Sequence, residues 1–83
     1  MSKYAPFESF LSNTPVHLKN VVFSFAQIEQ IIGTRLPPNA YNAKGTWWRN
    51  TKTRPQSQSW LAAGWKQDIV DWQNNWVRFR RQR

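Results

Sequence analysis

Between Gln30 and Gln67 the chain carries Arg35, Lys44, Arg49, Lys52, Arg54 and Lys66 and no carboxylate, with Trp47, Trp48, Trp60 and Trp65 interleaved. A second basic run, Arg78, Arg80, Arg81 and Arg83, closes the sequence. Fixed cations set among flat rings suit a polyanion that also offers stackable faces, and nucleic acid is the commonest such partner. The chemistry is recognition: lysine and arginine neutralise phosphates, a ring stacks on a base, and an amide such as Asn50 reads a base edge. The competing reading sinks the tryptophans into the core and leaves the charges solvated.

The segment Trp47-Trp48-Arg49-Asn50 shows both readings side by side. Adjacent rings on a regular element point to opposite sides, so one indole is expected inside and the other partly exposed. Asn50 either reads an edge or caps a turn. Trp60, Trp65 and Trp72 are expected in the core. Trp76, beside a turn on an outer face, is expected to be the most exposed. The expected nucleic-acid contacts are Arg35, Lys44, Arg49, Asn50, Lys52, Arg54, Trp76, Arg78, Arg80 and Arg81.

Catalysis is not expected. The chain has no cysteine, one histidine, His17, and four scattered acids, Glu8, Glu29, Asp68 and Asp71. A metal site needs clustered ligands, and acid–base work needs a titratable pair in one cleft. Three isolated glycines make no phosphate-binding loop. No metal or cofactor is expected.

Positioning these residues falls to a short chain. Eighty-three residues make one domain, 1–83, with a modest core. Its net charge of +8, from twelve basic and four acidic residues, repels itself and favours an anionic partner. No run of about 18 apolar residues is available to span a membrane. The start lacks the apolar middle of a secretion signal, so a cytoplasmic location is expected.

Residues 3–12 repeat Tyr4, Phe7, Phe10 and Leu11 at helical spacing, with Pro6 in the first turn. Residues 16–22 alternate and read as extended. Ser24 and Gln27 form a capping-box pair ahead of Phe25, Ile28, Ile31 and Ile32, and Gly33 follows, predicting a helix over 24–32 with Phe23 placed to pack on Ile28. Pro37-Pro38 opens a short helical piece through Asn42. Asn50–Ser59 reads as loop, and Ser57 or Ser59 opens a helix that Gly64 ends. Asn74-Asn75 is read as a two-residue hairpin turn. That register puts Val70, Trp72, Val77 and Phe79 on one face and Asp71 opposite Arg78 on the other. The expected fold is α+β: a small winged helix-turn-helix-like domain with three to four short helices and a C-terminal β-hairpin.

Lys3-Tyr-Ala-Pro, Phe25-x-x-Ile-Glu-x-Ile-x-Gly33, Leu36-Pro-Pro-x-Ala40, Trp47-Trp-x-Asn50, Trp60-Leu-x-Ala-Gly-Trp65 and Val77-x-Phe-x-Arg81 together resemble a family of small uncharacterised bacterial domains, also found attached to larger proteins. The resemblance spans nearly the whole chain. It implies that the two tryptophan segments define the domain and transfers no activity and no catalytic residue.

These residues favour a tryptophan-rich DNA-binding module without chemistry, with DNA preferred over RNA and the 38–50 segment supplying any sequence preference. A protein-interaction module, such as an inhibitor or accessory subunit filling an acidic or nucleic-acid-binding groove of a larger partner, remains open. So does single-strand or RNA binding through the same residues. Membrane-surface binding by the terminal run is weaker, because its residues alternate as a strand.

Overall fold

The computed structural model describes residues 2–82. Helix α1 spans Ala5–Ser12, with Pro6 in its first turn and Phe7 and Leu11 buried. Proline costs nothing there, because the first-turn N–H groups have no intrahelical acceptor. Strand β1 covers Asn20–Ser24 rather than 16–22. The Leu18 N–H donates to the Pro15 carbonyl, and the Arg81 guanidinium donates to the carbonyls of both Pro15 and Leu18. That segment is thereby held as a turn, and the alternating run begins to pair only at Asn20.

Helix α2, Phe25–Ile32, has the expected cap. The Gln27 N–H donates to the Ser24 hydroxyl at 3.0 Å, and the Ser24 N–H donates to the Gln27 amide oxygen at 2.8 Å. Gly33 ends the helix at φ 76°, a left-handed conformation that costs a residue with a Cβ. Phe25, Ile28 and Ile32 point inward. A single 3-10 turn follows at Pro38–Tyr41.

Helix α3 spans Pro55–Ala62, so it begins inside the stretch the sequence placed in a loop. Its buried face is polar: Gln56, Ser57 and Ser59 lie inside beside Trp60. Gln56 donates to the Trp47 carbonyl, Ser57 to the Arg49 carbonyl and Ser59 to the Gln56 carbonyl. Buried hydroxyls and amides are tolerated because each has a partner. Hydrophobic periodicity alone cannot reveal such a helix.

Strands β2, Trp65–Asp71, and β3, Trp76–Arg81, complete an antiparallel sheet in the order β1-β3-β2. The hairpin register differs from the expected one by two residues. Asp71 faces Trp76 and Val70 faces Val77, and an irregularity lies between Gln67 and Ile69. Four residues, 72–75, make the turn instead of two. The Asp71 carboxylate accepts from the Asn74 N–H at 2.9 Å and from the Asn74 side-chain amide at 3.0 Å, and Asn75 takes the positive φ of 57°. This side-chain turn competes with the tight two-residue hairpin and prevails. A slip of two leaves Val70, Val77 and Phe79 on their expected face. Val77 and Phe79 are buried, and Trp76, Arg78 and Arg80 face the other way. Trp72 leaves the strand and sits half-buried against the core.

The helices cover one face of the sheet. Between them a column of rings forms the core: Trp48 stacks on Phe25 at 5.2 Å and on Trp60 at 5.9 Å, and Trp60 reaches Phe79 at 5.2 Å. Both members of the Trp47-Trp48 pair are buried, at 8% and 3% exposure, where one was expected partly outside. Residues 47–49 form a turn, not a regular element, so both rings turn inward and meet edge to face at 4.7 Å. The result is a small α+β arrangement of three helices and a three-stranded antiparallel sheet. No helix among the described residues is long and apolar enough to cross a membrane.

Candidate nucleic-acid interface

The face of the sheet turned away from the helices is uncovered. Strand alternation places Trp76, Arg78 and Arg80 of the central strand on it. Lys66 of β2 pairs with Arg80, and Val22 of β1 and Ile69 of β2 pair with Arg78. Lys66 and Arg80 are exposed, Arg78 and Trp76 half-buried. One acid interrupts this surface. Asp68, at the sheet irregularity, accepts from Arg78 Nε at 3.0 Å and Nη2 at 2.6 Å through one oxygen, and its other oxygen lies 3.8 Å from Arg80 Nη2. The hydrogen bond from Arg78, helped by the nearby charges of Arg78, Arg80 and Lys66, holds the Asp68 carboxyl below its ordinary range against a smaller opposing effect of burial. Asp68 therefore stays ionised and occupies Arg78. The expected Asp71–Arg78 pair does not form. Asp71 instead caps the hairpin turn, and the Asn74 bonds lower its pKa as well.

A second group of cations is joined to the edge of β2 through Asn50. Its side-chain amide donates to the Gln67 carbonyl at 2.9 Å and accepts from the Gln67 N–H at 2.7 Å. It thus mimics the backbone of a fourth strand on the free edge of β2. The same oxygen accepts the Trp60 indole N–H at 2.9 Å. Asn50 pins the irregular 49–54 segment beside β2 and brings Arg49 and Lys52, both exposed, alongside the strand that carries Lys66. With its oxygen and one amide N–H committed to the protein, Asn50 fastens this segment to the strand edge.

The other expected contacts disperse. Arg35 lies in the helical layer, beside the Tyr41–Glu29 hydrogen bond. The Tyr41 hydroxyl there is raised, chiefly by burial and then by its bond to Glu29, while Arg35 opposes the rise. Lys44 sits in the turn after the 3-10 segment, its N–H donating to the Asn42 side chain. Arg54 donates to Thr46, to the hydroxyl at 3.1 Å and the carbonyl at 3.4 Å. Arg81 turns to the helical side. Its guanidinium stands 4.3 Å over the Trp65 ring while holding the Leu18 and Pro15 carbonyls at 2.9 and 3.0 Å, so it closes one end of the core. Arg83 lies outside the described residues.

Two residues gain a place that the sequence did not give them. Lys66 was visible as a cation, and its position opposite Arg80 follows once the hairpin register is known. Asp68 lies at the irregularity, which no local pattern marks. No group of histidines, cysteines or carboxylates able to hold a metal occurs among the described residues. The surface can attract and orient an anion.

The family model of a domain of unknown function, DUF7662, matches residues 4–82. No curated protein and no solved structure matches the chain.

Proposed function

We propose that this chain, which belongs to the DUF7662 family of domains of unknown function, is a nucleic-acid-binding module that holds duplex DNA by its phosphates and performs no chemistry of its own. The observation that carries this reading is the Asn50 stitch to Gln67, which joins the segment bearing the exposed Arg49 and Lys52 to the strand bearing Lys66, itself paired with Arg80. Four exposed cations near one open sheet face form an electrostatic footprint of the kind that dominates backbone binding.

The finer fold assignment belongs to the same proposal. Helix, strand, two helices and a hairpin, with the first strand against the last, is the order of a winged helix-turn-helix module. The helix in the recognition position, α3, exposes only Pro55, Gln58 and Ala62, and the Gln58 side chain donates to the Lys52 carbonyl. Contact with DNA therefore falls to the sheet face and the 49–54 segment, and sequence preference is weak. Duplex is favoured over single strands because stacking needs exposed rings. Four of the six tryptophans are buried and the other two are half-buried. Such a module would work in the cytoplasm.

Fluorescence anisotropy with a labelled random-sequence duplex tests the proposal. Four phosphate contacts give a slope of log K against log salt of about −3.6, or roughly 150-fold weaker binding at 200 mM than at 50 mM salt. Binding that does not respond to salt would refute it. Tighter binding to a single strand would shift the ligand class.

A further inference from the structure

A different part of the surface is shaped for a polypeptide. Among the described residues, Phe10, Val16, Leu18 and Val22 are four of the six exposed large apolar ones, at 49%, 82%, 37% and 56% exposure. Phe10 and Leu18 line one groove of about 830 Å³ between α1, the 13–18 turn and β1, with Val21 and Ile31 completing its walls and Val22, whose side chain is turned by alternation to the outer sheet face, at its rim. Val16 lies in the same turn. The Phe10 ring packs edge to face on Phe23 at 5.7 Å, leaving its outer side bare. Apolar exposure concentrated around one concavity marks an interaction site rather than ordinary scatter.

The groove runs beside an unpaired strand edge. Among the described residues β1 pairs within the sheet with β3 alone. The Arg81 N–H donates to the Lys19 carbonyl and the Phe25 N–H to the Asn75 carbonyl, so the odd-numbered residues of this stretch direct their backbone groups at β3. Alternation leaves the N–H and C=O of Asn20 and Val22 on the open side. The Ser24 N–H, next in that series, is already consumed by Gln27. Four main-chain groups thus await a short extended segment. A strand laid there would send the residues flanking the Val22 position into the apolar groove and those between them toward the outer sheet face.

Charge decides the occupant. No residue lining the groove is ionisable. The cations around it are Arg81, whose guanidinium holds the Pro15 and Leu18 carbonyls, Lys19, which adjoins β1, and Arg78 and Arg80, which pair with Val22 and Asn20. A second copy would bring two +8 chains edge to edge, which their repulsion opposes. We propose that the edge of β1 and its groove take up an extended segment of a partner protein in which apolar residues alternate with aspartate or glutamate, by strand addition. This inference does not depend on the DNA reading.

The probe is a library of capped heptapeptides alternating Asp or Glu with Val, Ile, Leu or Phe, followed by NMR and amide exchange on the full chain. A bound member should slow exchange at Asn20 and Val22 at least about tenfold and shift the resonances of Phe10 and Leu18. Val22→Pro deletes an edge N–H without touching the β1–β3 ladder and should weaken binding about tenfold or more. Phe10→Asp, at a half-exposed helix position, should do the same by placing a carboxylate in the groove. Lysine–valine peptides should not bind. The proposal fails if no acidic member binds, if binding leaves the Asn20 and Val22 amides unprotected, or if it survives both substitutions. It fails equally if sedimentation shows a wild-type dimer that Val22→Pro dissociates, since the edge would then serve a second copy.

Discussion

Replacing Asn50 by alanine removes three hydrogen bonds with one side chain: two to Gln67 and one from the Trp60 indole. The two on the strand edge are open to water, and water replaces them at small cost. The indole is different, because Trp60 is 1% exposed and its donor loses its only protein partner. A buried donor left unpaired costs about 1–3 kcal/mol, and each edge bond about 0.5–1 kcal/mol, so the loss totals about 3 kcal/mol. For a domain of this size that lowers the melting temperature by about 10–20 °C. Asn50→Asp keeps both acceptor contacts and loses only the donor to the Gln67 carbonyl, so it should cost about 1 kcal/mol. Thermal and urea unfolding followed by tryptophan fluorescence provide the measurement. Duplex binding measured at low temperature, with both variants folded, provides the second readout. Asn50→Ala carries the wild-type charge, yet it unfastens Arg49 and Lys52 from the sheet and should make the salt slope shallower by about 1.8. An alanine variant within about 0.5 kcal/mol of wild type would refute the energetic account. A destabilised variant with an unchanged slope would refute the idea that the stitch assembles the interface.

Lys66→Gln with Arg80→Gln should reduce the salt slope by about 1.8 while leaving unfolding nearly unchanged, because both side chains are exposed; anisotropy at several salt concentrations checks it. Asp68→Asn should release Arg78 and steepen the slope by about 0.9, with tighter binding at low salt, in the same assay. Because the Asp68 carboxyl is depressed in the folded state, its contribution to stability is complete above the ordinary aspartate pKa of about 3.9 and is lost as pH falls through the lower folded value. Acid titration of the melting temperature should therefore be flatter below about pH 4 in Asp68→Asn, with a residual slope from Asp71. Arg81→Ala should lower stability by about 2 kcal/mol, through two carbonyl bonds and the contact with Trp65, and leave the salt slope unchanged; a shallower slope would return Arg81 to the interface.

Local chemistry by itself settled a good deal. Ser24, Gln27 and Gly33 define α2, because caps are formed by residues within one turn of each other. The inward set Val70, Val77 and Phe79 was legible because faces of a strand follow from parity, which a two-residue slip preserves. The imbalance of charge is a property of composition. Tertiary structure decided what depends on partners far apart in the chain. Trp60 and Gln67 fix Asn50 from ten and seventeen residues away, and the Pro15 and Leu18 carbonyls turn Arg81 inward from more than sixty. The burial of the polar face of α3 rests on the carbonyls of Trp47 and Arg49, which no pattern within 55–62 discloses. A charge or an amide read along the chain has a type but no address. Only the closing of the sheet over the ring column determined which cations share a surface and which are spent on holding the fold.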